Sequence, residues 1–153
     1  MSLYRRIANK LGRESGTGTP AIPRQRRDLE VFVVNENIKF QVYWKNNHNG
    51  FGTVIIILVD NREIVKFDCL GGANGHYHIS PHFDFRILFH EGPISEQIDR
   101  SFLELKKNLQ RYLARHPSAD FNSISIPDDK FEEQLGLAHA KMKYLLETIP
   151  GMK

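Results

Sequence analysis

Ile38-Lys39-Phe40-Gln41-Val42-Tyr43-Trp44-Lys45 decides the fold. Side chains of an extended chain alternate between two faces. Ile38, Phe40, Val42 and Trp44 therefore point one way, and Lys39, Gln41, Tyr43 and Lys45 the other. An apolar face backed by a polar one marks an antiparallel strand with one side on a core and one side wet. Upstream, residues 29–34 read as a strand closed by the turn-forming Asn35-Glu36-Asn37. Downstream, Asn46-Asn47-His48-Asn49-Gly50 is a loop whose final Asn-Gly favours positive φ. The β-branched run at 54–59 reads as a buried strand, followed by a tight Asp60-Asn61 turn. Residues 63–69 alternate again, with Val65, Phe67 and Cys69 on one side and Lys66 and Asp68 on the other. Residues 83–89 are expected to form a further strand, with Phe83, Phe85, Ile87 and Phe89 inward and Asp84, Arg86 and His90 outward.

Beyond residue 92 the period changes. Ile94, Ile98, Phe102, Leu105, Leu109 and Leu113 recur at spacings of three and four, with Pro93 suited to the start and Pro117 to the stop. A loop is expected over 118–124. Ser125-Ile126-Pro127-Asp128 resembles a capping box, and Phe131, Leu135, Ala138, Met142 and Leu145 form a second stripe ended by Pro150-Gly151. Strands first and helices last predict an α+β fold: an antiparallel β-meander of about five strands with two C-terminal helices packed on one face.

Size and composition fit one soluble domain: 153 residues, 41% hydrophobic and 25% charged. No apolar run approaches the ~20 residues of a membrane-spanning helix, so no membrane partner is expected. The single cysteine, Cys69, and the absence of an apolar leader predict a reducing, cytoplasmic setting. The net charge of +3 is unevenly spread. Residues 1–27 carry seven bases against Glu14 alone, and the remaining 14 bases and 17 acids leave the rest mildly acidic. The division expected is a basic, flexible tail over 1–27 and a single domain over 28–153. Within the tail, Leu3, Ile7 and Leu11 would share one face of a short helix, and residues 12–23 read as a linker.

Chemistry concentrates in Gly75-His76-Tyr77-His78-Ile79-Ser80-Pro81-His82, which holds three of the seven histidines. Imidazole titrates near neutrality, transfers protons and binds metals. In an extended segment His76 and His78 point the same way. The preceding strand carries Asp68 and the following one Arg86. The candidate catalytic residues are therefore Asp68, His76, His78, His82 and Arg86. Two chemistries suit them. One is general acid–base work on a phosphodiester, with Lys66 or Arg86 meeting the developing charge. The other is a divalent metal held by His76, His78 and His82, with Asp68 as the alternative third ligand. The plainer alternative is an ordered turn whose imidazoles cap backbone groups. No cofactor is favoured. Gly71-Gly72-Ala73-Asn74-Gly75 lacks the Gly-Lys-Ser/Thr ending of a phosphate-binding loop. Cys69 reads as a core residue.

Phe67-Asp68, Gly75-His76-Tyr77-His78, Pro81-His82 and Gly92-Pro93-Ile94-Ser95-Glu96-Gln97-Ile98-Asp99 give residues 28–113 a layout that resembles the TumE-like toxins of prokaryotic toxin–antitoxin pairs, and related small domains of unknown function. The resemblance implies a small prokaryotic protein that acts on RNA and has an antitoxin partner. It assigns no catalytic residue, and the Gly-rich stretch between Asp68 and His76 departs from the pattern, so no role is carried to Asp68. The expectation is a toxin-like protein that contacts RNA or a partner through the histidine loop and the polar sheet face. Its alternatives are a noncatalytic interaction module, using its helices to form a homodimer or dock a partner, and a metal-dependent hydrolase.

Overall fold

The computed structural model describes residues 26–48 and 50–149. The short basic helix and linker expected within 1–23, Asn49 of the Asn-Gly turn and the Pro150-Gly151 stop lie outside the described residues. Six strands form one sheet in chain order: β1 (Arg26–Val33), β2 (Ile38–Asn47), β3 (Gly50–Val59), β4 (Arg62–Cys69), β5 (His76–Ile79) and β6 (Ile87–Leu88). Every neighbouring pair is antiparallel. Three helices follow: α1 (Ile94–Ala114), the single-turn α2 (Ala119–Asn122) and α3 (Asp128–Thr148). The architecture is the expected α+β meander with one strand more than the sequence suggested, and α2 replaces part of the expected loop. None of the described helices is long and apolar enough to cross a membrane.

The alternation of β2 sets the layers. Ile38, Phe40, Val42 and Trp44 are buried together with Ile55, Ile57, Val65 and Phe67. α1 covers them with Ile98, Leu105, Leu109 and Leu113, and α3 with Phe131, Leu135, Met142 and Leu145. Burying one such aliphatic or aromatic side chain contributes ~1.5–3 kcal/mol, so this layer is the larger part of what holds the fold. α3 starts at Asp128 with Pro127 before it and no side-chain cap, so Ser125 does not close the expected capping box.

Two further expectations fail. Residues 83–89 do not continue as a strand. Pro81 has no N–H to give a ladder, and the chain turns instead, with His82 N donating to Ile79 O and Phe85 N to His82 O. Only Ile87 and Leu88 pair with β5. Phe85 is 70% exposed rather than inward, Phe83 and Ile87 are exposed, and of the four only Phe89 packs on the core. The sheet face away from the helices is not uniformly wet either. Tyr43, Val54 and Ile56 form a second buried cluster there, joined by Leu29 and Leu58. The reason is β3, which is apolar on both faces and so cannot supply the polar half of an alternating pattern.

Candidate functional site

The polar part of that second face lies over β4 and β5. Residues directly opposite on antiparallel strands share a face. The register sets Asp68 opposite His76 and Lys66 opposite His78, so all four side chains stand on the side away from the helices. Asp68 is only 1% exposed. Its Oδ1 accepts from Lys45 Nζ at 2.7 Å. Lys45 reaches it from β2 across β3 because its partner there is Gly52, which presents no side chain. A Cβ at Gly52 would also run into the Cys69 carbonyl.

Asp68 Oδ2 is buried and has no hydrogen-bond partner. Its neighbours are His76 Nε2 at 3.6 Å, Lys66 Nζ at 3.8 Å and His78 Nε2 at 3.9 Å. Both imidazoles are anchored from behind. His76 Nδ1 lies 2.8 Å from the Asn74 carbonyl, and His78 Nδ1 lies 3.0 Å from the Phe85 carbonyl. A carbonyl can only accept, so each Nδ1 carries a proton, and in its neutral form such a ring turns its Nε2 lone pair towards Oδ2. Burial, reinforced by the nearby His76 ring, holds His78 below the usual imidazole range and favours that neutral form. The rings meet edge to face at 5.0 Å.

Asp68, His76 and His78 thus offer three ligand atoms within 4.8 Å of one another. Ligands at ~2.1 Å from a tetrahedral ion stand about 3.4 Å apart, close to the two carboxylate–imidazole separations. Lone pairs facing one point repel unless a cation or proton joins them, and the Lys66 ammonium stands 3.8 Å from Oδ2 without a hydrogen bond to it.

The loop before β5 is fixed by α1. Gln97 is buried; its Oε1 accepts from Gly71 N at 2.8 Å and its Nε2 donates to Gly72 O at 3.0 Å. Gly71 has φ +75°, which an L side chain rarely adopts. Gly75 touches the Gln97 amide so closely that no Cβ fits between them. This clamp sets the Asn74 carbonyl, and through it the His76 ring.

The other candidates fall outside the cluster. His82 sits on the exposed turn after β5, edge-on to Phe85 at 6.2 Å. Arg86 is exposed and borders a cleft of about 410 Å³ that His76, His48, Asn74 and Leu88 also line. Lys45 and Gln97 escaped sequence reasoning as site residues. Lys45 carried a signal in the glycine of the following strand, and Gln97 in being a polar residue beside the Ile94/Ile98 stripe. Cys69 is not a nucleophile, since burial pushes its thiol up to about 12. Nor is Ser80 activated by His116. His116 Nδ1 accepts from Ser118 N (3.0 Å), so its Nε2–H donates to Ser80 Oγ (3.0 Å) instead of taking a proton from it. His139 and Lys143 both meet Asp99, at 2.7 and 2.9 Å, and tie α3 to α1. No family model, no curated protein and no solved structure matches the chain.

Proposed function

We propose that this chain is a metal-dependent hydrolase with its centre at Asp68, His76 and His78. One observation carries the reading. Two imidazoles anchored through Nδ1 turn their Nε2 atoms to a common point, where one buried carboxylate oxygen accepts no hydrogen bond. Backbone acceptors behind metal-binding histidines serve to fix the tautomer and aim the free nitrogen. Two nitrogens and one oxygen suit zinc, iron(II) or manganese and leave a position open for water, which a divalent ion makes nucleophilic near neutral pH. The full-length chain, purified without chelator, is expected to hold about one such ion. Cobalt(II) should give a d–d absorption band that His76→Ala, His78→Ala and Asp68→Asn each abolish. Absence of stoichiometric binding across zinc, iron(II), manganese, cobalt and nickel would overturn the assignment.

A second reading, favoured by Lys66, keeps the same residues without an ion. Its ammonium stands beside the shared carboxylate, where it would meet charge developing on an RNA phosphodiester while the imidazole pair moves protons. That is the toxin-like activity implied by the resemblance. Ribonuclease activity that survives a chelator and is lost in His76→Ala would select it.

A further inference from the structure

We propose that the cleft beside the centre is a phosphate-binding site, so that the ligand reaching the metal carries a phosphate group. The inference rests on the metal-centre reading and names what such a centre would act on. His76 belongs to both: its Nε2 faces Asp68, and the residue lines the cleft. A ligand lying in the cleft would therefore border an ion held by Asp68, His76 and His78.

The chemistry of the other walls selects the ligand. Among the described residues that line the cleft, Arg86 is the one with a formal charge and none is a carboxylate. Arg86 makes no ion pair and no hydrogen bond among the described residues, and His48 makes none either. A guanidinium is a rigid fork of donors that fits the paired oxygens of an oxyanion. Without a carboxylate partner among the described residues, Arg86 is free to pair with an oxyanion of a ligand. Imidazole at His48 adds a donor when protonated. A phosphate group has oxygens enough to face the ion and the guanidinium together, the arrangement that stabilises charge on a phosphoryl group. A carboxylate has two oxygens, and turning one to the ion leaves a single oxygen for the guanidinium instead of the pair its fork fits. The volume of about 410 Å³ lies in the range of small-molecule sites, and Ala73 and Leu88 give the wall an apolar portion against which an ester's organic part can lie.

Calorimetric titration of the full-length chain and of Arg86→Ala with inorganic phosphate, adenosine monophosphate and acetate tests this, with metal per chain measured in the same samples. Phosphate is expected to bind the parent protein and to bind Arg86→Ala on the order of tenfold more weakly, as loss of a charge-assisted hydrogen bond dictates, while metal content stays unchanged. Arg86→Lys, which keeps the charge and loses the fork, should fall between the two. Tighter binding of the nucleotide than of phosphate assigns the site to phosphate esters, and equal binding assigns it to free phosphate. Equal phosphate affinity in parent and Arg86→Ala, or acetate bound as tightly as phosphate, overturns the proposal. If neither protein holds metal, the centre fails by itself, and the Arg86 contrast measured on the metal-free chains still decides the cleft.

Discussion

Lys45 and Lys66 stand on either side of one carboxylate and do opposite things for it. Lys45 donates to Oδ1 and compensates a charge that is almost wholly out of water. Lys45→Met would leave Asp68 buried with one oxygen newly unpaired, and we expect roughly 3 kcal/mol of stability to go, read by urea unfolding. Lys66 offers Oδ2 attraction without a hydrogen bond, and its positive charge opposes any divalent ion at the same place. Lys66→Met is therefore expected to tighten metal binding by about tenfold while leaving the fold intact, since a like charge a few ångströms away in a partly wet site costs about a kcal/mol or more. Weaker metal binding in Lys66→Met would place that lysine among the groups that support the ion. Much of this was legible in advance. The two-residue period set His76 and His78 on one side, and the alternation of β4 set Asp68 with Lys66. What could not be read was distance. His82 is as close to His78 in sequence as many true ligand pairs, yet the turn after Pro81 carries it away. Lys45, over twenty residues from Asp68, arrives through strand register and a missing side chain.

At the scale of elements, a helix holds a loop that holds a histidine. Gln97 on α1 spans Gly71 and Gly72, and Gly75 leaves room for its amide. Gln97→Ala should cost about 1–3 kcal/mol, because it strands a buried backbone N–H and carbonyl, and it should also weaken metal binding by loosening Asn74 and the His76 ring. Leu113→Ala, far along the same helix and fully buried, should cost about 2–5 kcal/mol and leave metal affinity of the folded protein unchanged. If the two variants lower metal affinity alike, the clamp has no positioning role. Gly75→Ala should behave as Gln97→Ala does. The helices themselves were plain in the sequence, because stripes at spacings of three and four survive any context that buries them. The strand expected at 83–89 was not safe, because alternating aromatics describe a turn with scattered rings equally well. Only the ladder donor missing at Pro81 distinguishes the two.

For the molecule as a whole, acid should weaken the folded state. Burial and the nearby Arg62 hold His116 below the usual imidazole range. It faces Ser80, the Ser118 amide and the Phe121 ring, and the Arg62 beside it is shared with Asp120. A folded-state value below the unfolded one of about 6.5 means that its contribution is complete above that value and is lost as pH falls through it towards the lower folded value. His116→Asn keeps an acceptor for the Ser118 amide and removes the titration. Between about pH 7.5 and pH 5.5 the parent should therefore lose more unfolding free energy than the variant, measured by urea titration at each pH. Equal losses would show that His116 is not the group responsible.

All three proposed ligands, Asp68, His76 and His78, fall within a single hairpin of β4 and β5. Such a hairpin can meet an ion while the C-terminal third of the chain is still being synthesised. Capture and precision would then be separate events in time: coordination first by a floppy claw, and rigidity only after α1 arrives and closes Gln97 over the glycines.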